Sequence, residues 1–161
     1  MRFTALKREK NDSGVTVVEL LVALAILAII TGIAVSSFGG FRRQKVLDNS
    51  AGEVASLLRE ARALTLASRD GAAWGVHFET SNVTLFRAPT FASGAANNKA
   101  VTLDAAVTLA TTSITGGGSD IIFKKLSGET NNVATTTLSR TDDPTIARIV
   151  TVSTTGIIHT Q

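Results

Sequence analysis

An α+β fold is expected from two patterns in the sequence, and the absence of cysteine narrows what such a fold can do. The first pattern is helical: a long apolar run passes into a segment whose apolar residues recur every three or four positions. The second is strand-like: short alternating runs separated by Gly, Asn, Thr and Ser clusters fill the rest of the chain. Together they predict one long α-helix from about residue 16 to about residue 69. Its C-terminal half should pack on an antiparallel β-sheet body.

Four segments carry this expectation: residues 1–14, 15–38, 39–71 and 72–161. The first is short, polar and basic. It holds four of the sixteen Lys and Arg residues and two of the thirteen Asp and Glu residues, so the remainder has twelve basic and eleven acidic side chains. The net charge of +3 is therefore concentrated in a short leader and says little about nucleic acid.

The second segment, VTVVELLVALAILAIITGIAVSSF, carries a single charge, Glu19. As a helix it would span roughly 36 Å, enough to cross about 30 Å of hydrocarbon. The basic residues ahead of it predict an N-terminus that stays cytoplasmic and a body that is exported. In the third segment Leu47, Ala51, Val54, Leu58, Ala61 and Thr65 fall on one helical face. Arg43, Asp48, Glu53, Arg59, Glu60 and Arg62 lie largely off it. Gly32 and Gly39-Gly40 are the places where the helix can bend. Ser68-Arg69-Asp70-Gly71 is the expected stop, with Gly71 in the left-handed conformation.

In the fourth segment residues 73–79 and 83–87 flank a Thr-Ser-Asn turn and predict a hairpin. Further strands are expected at 100–103, 106–110, 120–126, 133–139, 146–152 and 156–160. Aromatics make up only 5% of the chain, so the core must be built from small and β-branched side chains. Without cysteine there is no disulfide framework and no thiolate chemistry.

The junction Asn11-Asp12-Ser13-Gly14-Val15-Thr16-Val17-Val18-Glu19-Leu20-Leu21 resembles the processing site of type IV prepilins and type II secretion pseudopilins. The resemblance implies a leader, 1–14, removed by a prepilin peptidase, an aspartyl membrane enzyme that cuts between Gly14 and Val15. It implies N-methylation of Val15, which stands where the family usually has Phe. A cut before the apolar stretch keeps that stretch, whereas an ordinary secretory signal is cut after it. A carboxylate in an apolar helix is costly in a membrane and is read as functional. The partner expected for Glu19 is the Val15 amine, on a neighbouring subunit or the same chain. The bland alternatives are a Glu19 that merely lies at the membrane surface and a plain single-pass anchor.

The body resembles the minor pseudopilin H and fimbrial-T branch of that family. The segments that carry this are Leu57-Leu58-Arg59-Glu60-Ala61-Arg62-Ala63, Ile121-Ile122-Phe123 leading to Ser127-Gly128, and Arg148–Val152 leading to Gly156-Ile157-Ile158. Many type IVa major pilins have a C-terminal disulfide and a helical Pro where this chain has Ser36, so the resemblance leans toward a minor pilin or pseudopilin. It implies a non-enzymatic subunit of a pilus, competence or type II secretion filament, first in the cytoplasmic membrane and then in a pilus or pseudopilus at the cell surface or in the periplasm. Its partners would be the peptidase, other pilin subunits, the inner-membrane assembly platform and membrane lipid. The alternatives are a major pilin and a DNA-binding or adhesive tip subunit.

No cofactor, metal or catalytic residue is expected. His77 and His159 are far apart in sequence, and Gly116-Gly117-Gly118 lacks the residues of a phosphate loop. Asp142-Asp143-Pro144 reads as a turn, because the other oxygen ligands of a calcium site are not evident. Trp74 reads as a core or sheet-face residue rather than a ligand platform. Lys124, Lys125, Arg140 and Arg148 are the candidates for DNA contact, although adjacent strand residues point to opposite faces.

Overall fold

The computed structural model describes residues 14–161, with the side chains of 35–38 excepted. Of the expected leader, residues 1–13 lie outside the described residues and Gly14 lies within them. The chain divides into one unit ending at Gly39 and another from Gly40 to Gln161.

A single α-helix, α1, is assigned from Val17 to Leu66. In the first unit its apolar side chains are exposed all round: Val17 is 75% exposed and Ile33 66%. Thr31, one of the few polar residues there, donates its hydroxyl to the Leu27 carbonyl at 2.7 Å, so it presents no unpaired donor.

In the second unit the expected stripe is the buried face. Leu47, Ala51, Val54, Leu58, Ala61 and Thr65 are all at most 1% exposed. Ala55 and Leu57 widen the stripe. The helix stops at Leu66, three residues before the expected end. The cause is Ser68, which already adopts the left-handed conformation at φ 48°, ahead of Asp70 and Gly71. The carbonyls of the turn that follows are then capped from the body. Trp74 Nε1 donates to Arg69 O, Arg87 to Asp70 O, and Lys125 Nζ to Gly71 O.

The body has eight strands, and they form two sheets where one was expected. Sheet A contains β1 (Trp74–Phe78), β2 (Asn82–Arg87), β3 (Lys99–Thr102) and β5 (Asp120–Ile122), in the order β3-β2-β1-β5. Sheet B contains β4 (Val107–Ile114), β6 (Ala134–Arg140), β7 (Ala147–Val152) and β8 (Ile158–Thr160), in the order β4-β6-β7-β8. All pairs are antiparallel. The expected β1–β2 hairpin forms, with Phe78 opposite Val83. The strand expected at 120–126 is shorter: it ends at Ile122, and Phe123 makes one further bridge, to Thr130. The strand expected at 106–110 is longer, reaching Ile114 through an irregularity between Leu109 and Thr111.

One core joins the three layers. It contains the α1 stripe, Val76, Phe78, Val83, Leu85 and Ile121 from sheet A, and Leu138, Val150 and Val152 from sheet B. Thr65 serves this junction with polar chemistry. Its hydroxyl donates to Ala61 O at 2.9 Å and accepts from Trp74 N–H at 2.9 Å, tying the end of α1 to the start of β1.

Three separate segments meet near the end of α1. Arg62 Nε donates to Gly128 O at 3.1 Å. Gly156 lies against the same peptide, so closely that an added Cβ would sit 1.9 Å from Gly128 O. Gly156 is also left-handed, at φ 74°. Both the close approach and the backbone angle require glycine.

This packing makes two substitutions costly. Leu58→Ala should cost about 2–5 kcal/mol, because the core around a fully buried leucine collapses only partly. Gly156→Ala should cost about 3 kcal/mol or more, because the Gly128 backbone has to move. Urea unfolding followed through the fluorescence of Trp74, the sole tryptophan, measures both.

Candidate functional site

The helix N-terminus is where the motif residues lie, and its geometry follows from Thr16. Thr16 precedes the helix, and its hydroxyl accepts a hydrogen bond from Glu19 N–H at 3.2 Å. Its carbonyl accepts the first helical bond, from Leu20 N–H at 3.1 Å. Thr16 is thus the N-cap, and Thr16-x-x-Glu19 has the capping-box spacing. The same two residues stand in the junction that resembles a prepilin processing site, so one spacing in the sequence carries two signals.

Two consequences follow. The Gly14–Val15 peptide lies outside the helix; Val15 is 72% exposed and, among the described residues, nothing stands within 4 Å of where a Cβ on Gly14 would be. An uncovered, non-helical peptide without a side chain is what a protease cleft can accept. The carboxylate of Glu19 sits in the first helical turn. There the unpaired N–H groups and the helix dipole favour negative charge. The apolar surface behind it is exposed on every side, and an 18-residue window has a mean hydropathy of 2.7, long and apolar enough to cross a membrane.

The basic candidates in the body do not share one environment. Arg148 pairs with Asp48 of α1 at 2.8 Å. Arg140, only 9% exposed, donates from Nε to Asp142 Oδ1 at 2.9 Å and from a second nitrogen to Oδ2. Lys125 caps the turn after α1, and Lys124 is exposed. The charge of two of the four is therefore already answered by a carboxylate.

Asp142 also accepts from Arg43 of α1 at 2.9 Å, and Asp143 accepts from the backbone and hydroxyl of Thr145. The Asp-Asp-Pro segment is thus a turn whose acids are engaged by protein donors. No cluster of three or more metal-ligating side chains occurs among the described residues. The fork from Arg140, more than the charges of Arg140 and Arg43, holds the Asp142 carboxyl below its ordinary range and raises the Arg140 guanidinium in turn.

The two histidines differ in setting. His159 is exposed on β8. His77 is partly buried, with Nδ1 2.5 Å from Asp120 Oδ1 and Nε2 3.6 Å from Glu79, and its ring stacks on Phe91 at 3.8 Å. Sequence spacing has no way to bring Phe91 and Asp120 to it. Trp74 is 6% exposed in the core, as expected.

Comparison with known proteins agrees with this geometry. Residues 10–35 match the family model of the prokaryotic N-terminal methylation motif. A comparison with curated proteins finds no match to the chain. Among solved structures the fold is similar to the type IV minor pilin FimU of Pseudomonas aeruginosa PAO1 in two crystal forms. One has a TM-score of 0.54 at 16% identity, covering 71% of this chain and 92% of that chain. The other has a TM-score of 0.55 at 16% identity, covering 75% and 92%. The chain thus carries that motif at its N-terminus and shares the fold of a type IV minor pilin.

The shared carboxylate yields a pH prediction. The folded pKa of Asp142 lies below its unfolded value, so its contribution is present above the ordinary carboxylate range and is lost as pH falls through the folded value. Asp142→Asn should therefore lower the urea midpoint at neutral pH. The gap to the parent should close as the pH falls below about 4.

Proposed function

We propose that this chain is a minor pilin or pseudopilin, a non-enzymatic structural subunit of a type IV pilus, competence or type II secretion filament. The observation that carries the reading is the N-terminal half of α1: an apolar surface uncovered on all sides, behind a capped first turn that holds one acid. Such a surface needs lipid before assembly and the helices of neighbouring subunits afterwards, and either environment removes it from water.

In this reading a prepilin peptidase cuts between Gly14 and Val15, and the new Val15 amine is methylated. The cap supports this order of events, because it holds the first turn independently of the leader. Glu19 then pairs with a Val15 amine, neutralising two charges that would otherwise enter an apolar filament core unpaired. Pairing of this kind sets register between subunits. The body stays on the exported side of the cytoplasmic membrane until the assembly platform draws the subunit into a pilus or pseudopilus. The minor role is supported by Ser36 at the place of the helical Pro, by the absence of cysteine, and by the likeness to a minor pilin.

Intact mass of the membrane-extracted protein tests the processing step. The expected product lacks residues 1–14, with or without one methyl group; an uncut N-terminus in cells that contain the peptidase overturns the reading. Glu19→Ala tests assembly: its recovery in sheared filaments should fall by about tenfold or more, as expected for a charge left unpaired in an apolar setting. Recovery equal to the parent would remove the role assigned to Glu19.

A further inference from the structure

The outer face of sheet A carries a second feature, unrelated to the helix. Alternation along β2 sends Val83 and Leu85 into the core and Thr84 and Phe86 to the opposite face. That face is roofed by the loop between β2 and β3, whose Phe91 stacks on His77 and meets Phe86 edge-on at 5.6 Å. Beside this aromatic group the loop and the sheet border an open cleft of about 410 Å³. Its walls include Phe91, Glu79, Asn82, Asn98 and Thr102, with Thr84 among them.

Thr84 is the informative residue. It is 94% buried, since only 6% of its surface is exposed, yet its hydroxyl has no hydrogen-bond partner among the described residues. Side-chain nitrogens and oxygens that are wholly enclosed are all paired among the described residues, so this hydroxyl is one that opens to the cleft. Asn82 and Asn98 each use the side-chain N–H₂ internally, on Glu79 and on Ala92 O, which leaves their carbonyl oxygens as acceptors.

From this arrangement we propose that the cleft binds a neutral polyhydroxylated ligand, a saccharide unit. Its size lies within the range of small-ligand sites. Hydroxyl groups match a wall of amide oxygens, hydroxyls and one carboxylate, and the ring of Phe91 supplies an apolar surface for the C–H face of a sugar. No Lys or Arg lines the cleft among the described residues, and its one charge is the acid Glu79, so phosphates and nucleic acid are disfavoured. One tether holds the loop to the sheet beside the cleft, the stack of Phe91 on His77, itself held by Asp120; the bond from Asn98 to Ala92 O closes the loop on itself.

The test uses the full chain in lipid nanodiscs, free of sugar-headed detergents. Saturation-transfer NMR is recorded with glucose, galactose and N-acetylglucosamine, and with inorganic phosphate and a neutral tripeptide as comparators. At least one sugar should give saturable transfer whose strength does not change between low and high salt. Thr84→Val, which removes only the unpaired hydroxyl, should weaken that binding about tenfold while the thermal transition is retained. Thr102→Val, at an exposed position, should weaken it as well and serves if the first variant fails to fold. The proposal is overturned if none of the three sugars binds, if phosphate or the tripeptide binds more tightly than they do, or if the folded variants bind like the parent.

Discussion

Burial of one face of α1 between residues 47 and 65 is the constraint on which the body depends. The inward residues of sheet A, those of sheet B and the helix stripe belong to one cluster. Each fully buried aliphatic side chain in that stripe contributes about 1.5–3 kcal/mol by leaving water. The polar contacts at its margin then orient the layers. Thr65 ties the helix to β1, Lys99 reaches Glu60 at 2.7 Å, and Arg148 reaches Asp48. Exposed pairs of this kind add little energy, and their use lies in fixing direction.

The same helix has opposite character before Gly39, where no face is set apart from the others. A helix that is apolar all round cannot be satisfied by one sheet, and in this chain it has no sheet to cover it among the described residues. Two solvents are thus written into one secondary-structure element. The N-terminal part is compatible with lipid or with copies of itself, and the C-terminal part with a folded body.

The helix is legible in the sequence because its two periodicities are strong, and the buried stripe from Leu47 to Thr65 can be read residue by residue. The hairpin of β1 and β2 is legible for the same reason: alternation and a turn lie side by side in the sequence. The partition into two sheets cannot be read, since β5 returns to pair with β1 only after β4 has begun the other sheet. Alternation reports which side of a strand is buried and carries no address for its neighbour. The helix ends earlier than expected because Ser68 adopts a left-handed angle that its residue type does not advertise. At the candidate site, Glu19 stands out as the one charge in an apolar run, whereas Gly14 and Val15 are picked out only by the resemblance of the junction to prepilin processing sites. The cap formed by Thr16 has a signal in the Thr-x-x-Glu spacing, whereas the engagement of Arg140 and Arg148 by nearby acids needs the geometry. The cleft beside Phe91 has no sequence signal, because its walls come from a loop and three strand segments.

The position of the cap separates two demands that would otherwise compete at neighbouring residues. Thr16 closes the helix, so whatever stands at position 15 is free of helical propensity. A β-branched residue there carries no conformational cost to α1. Position 16 has no such latitude: it must offer a side-chain oxygen to the first turn. The first two residues after Gly14 are therefore bound by different rules: nothing in the helix constrains the side chain of the first, whereas the second is fixed by the backbone of the first turn.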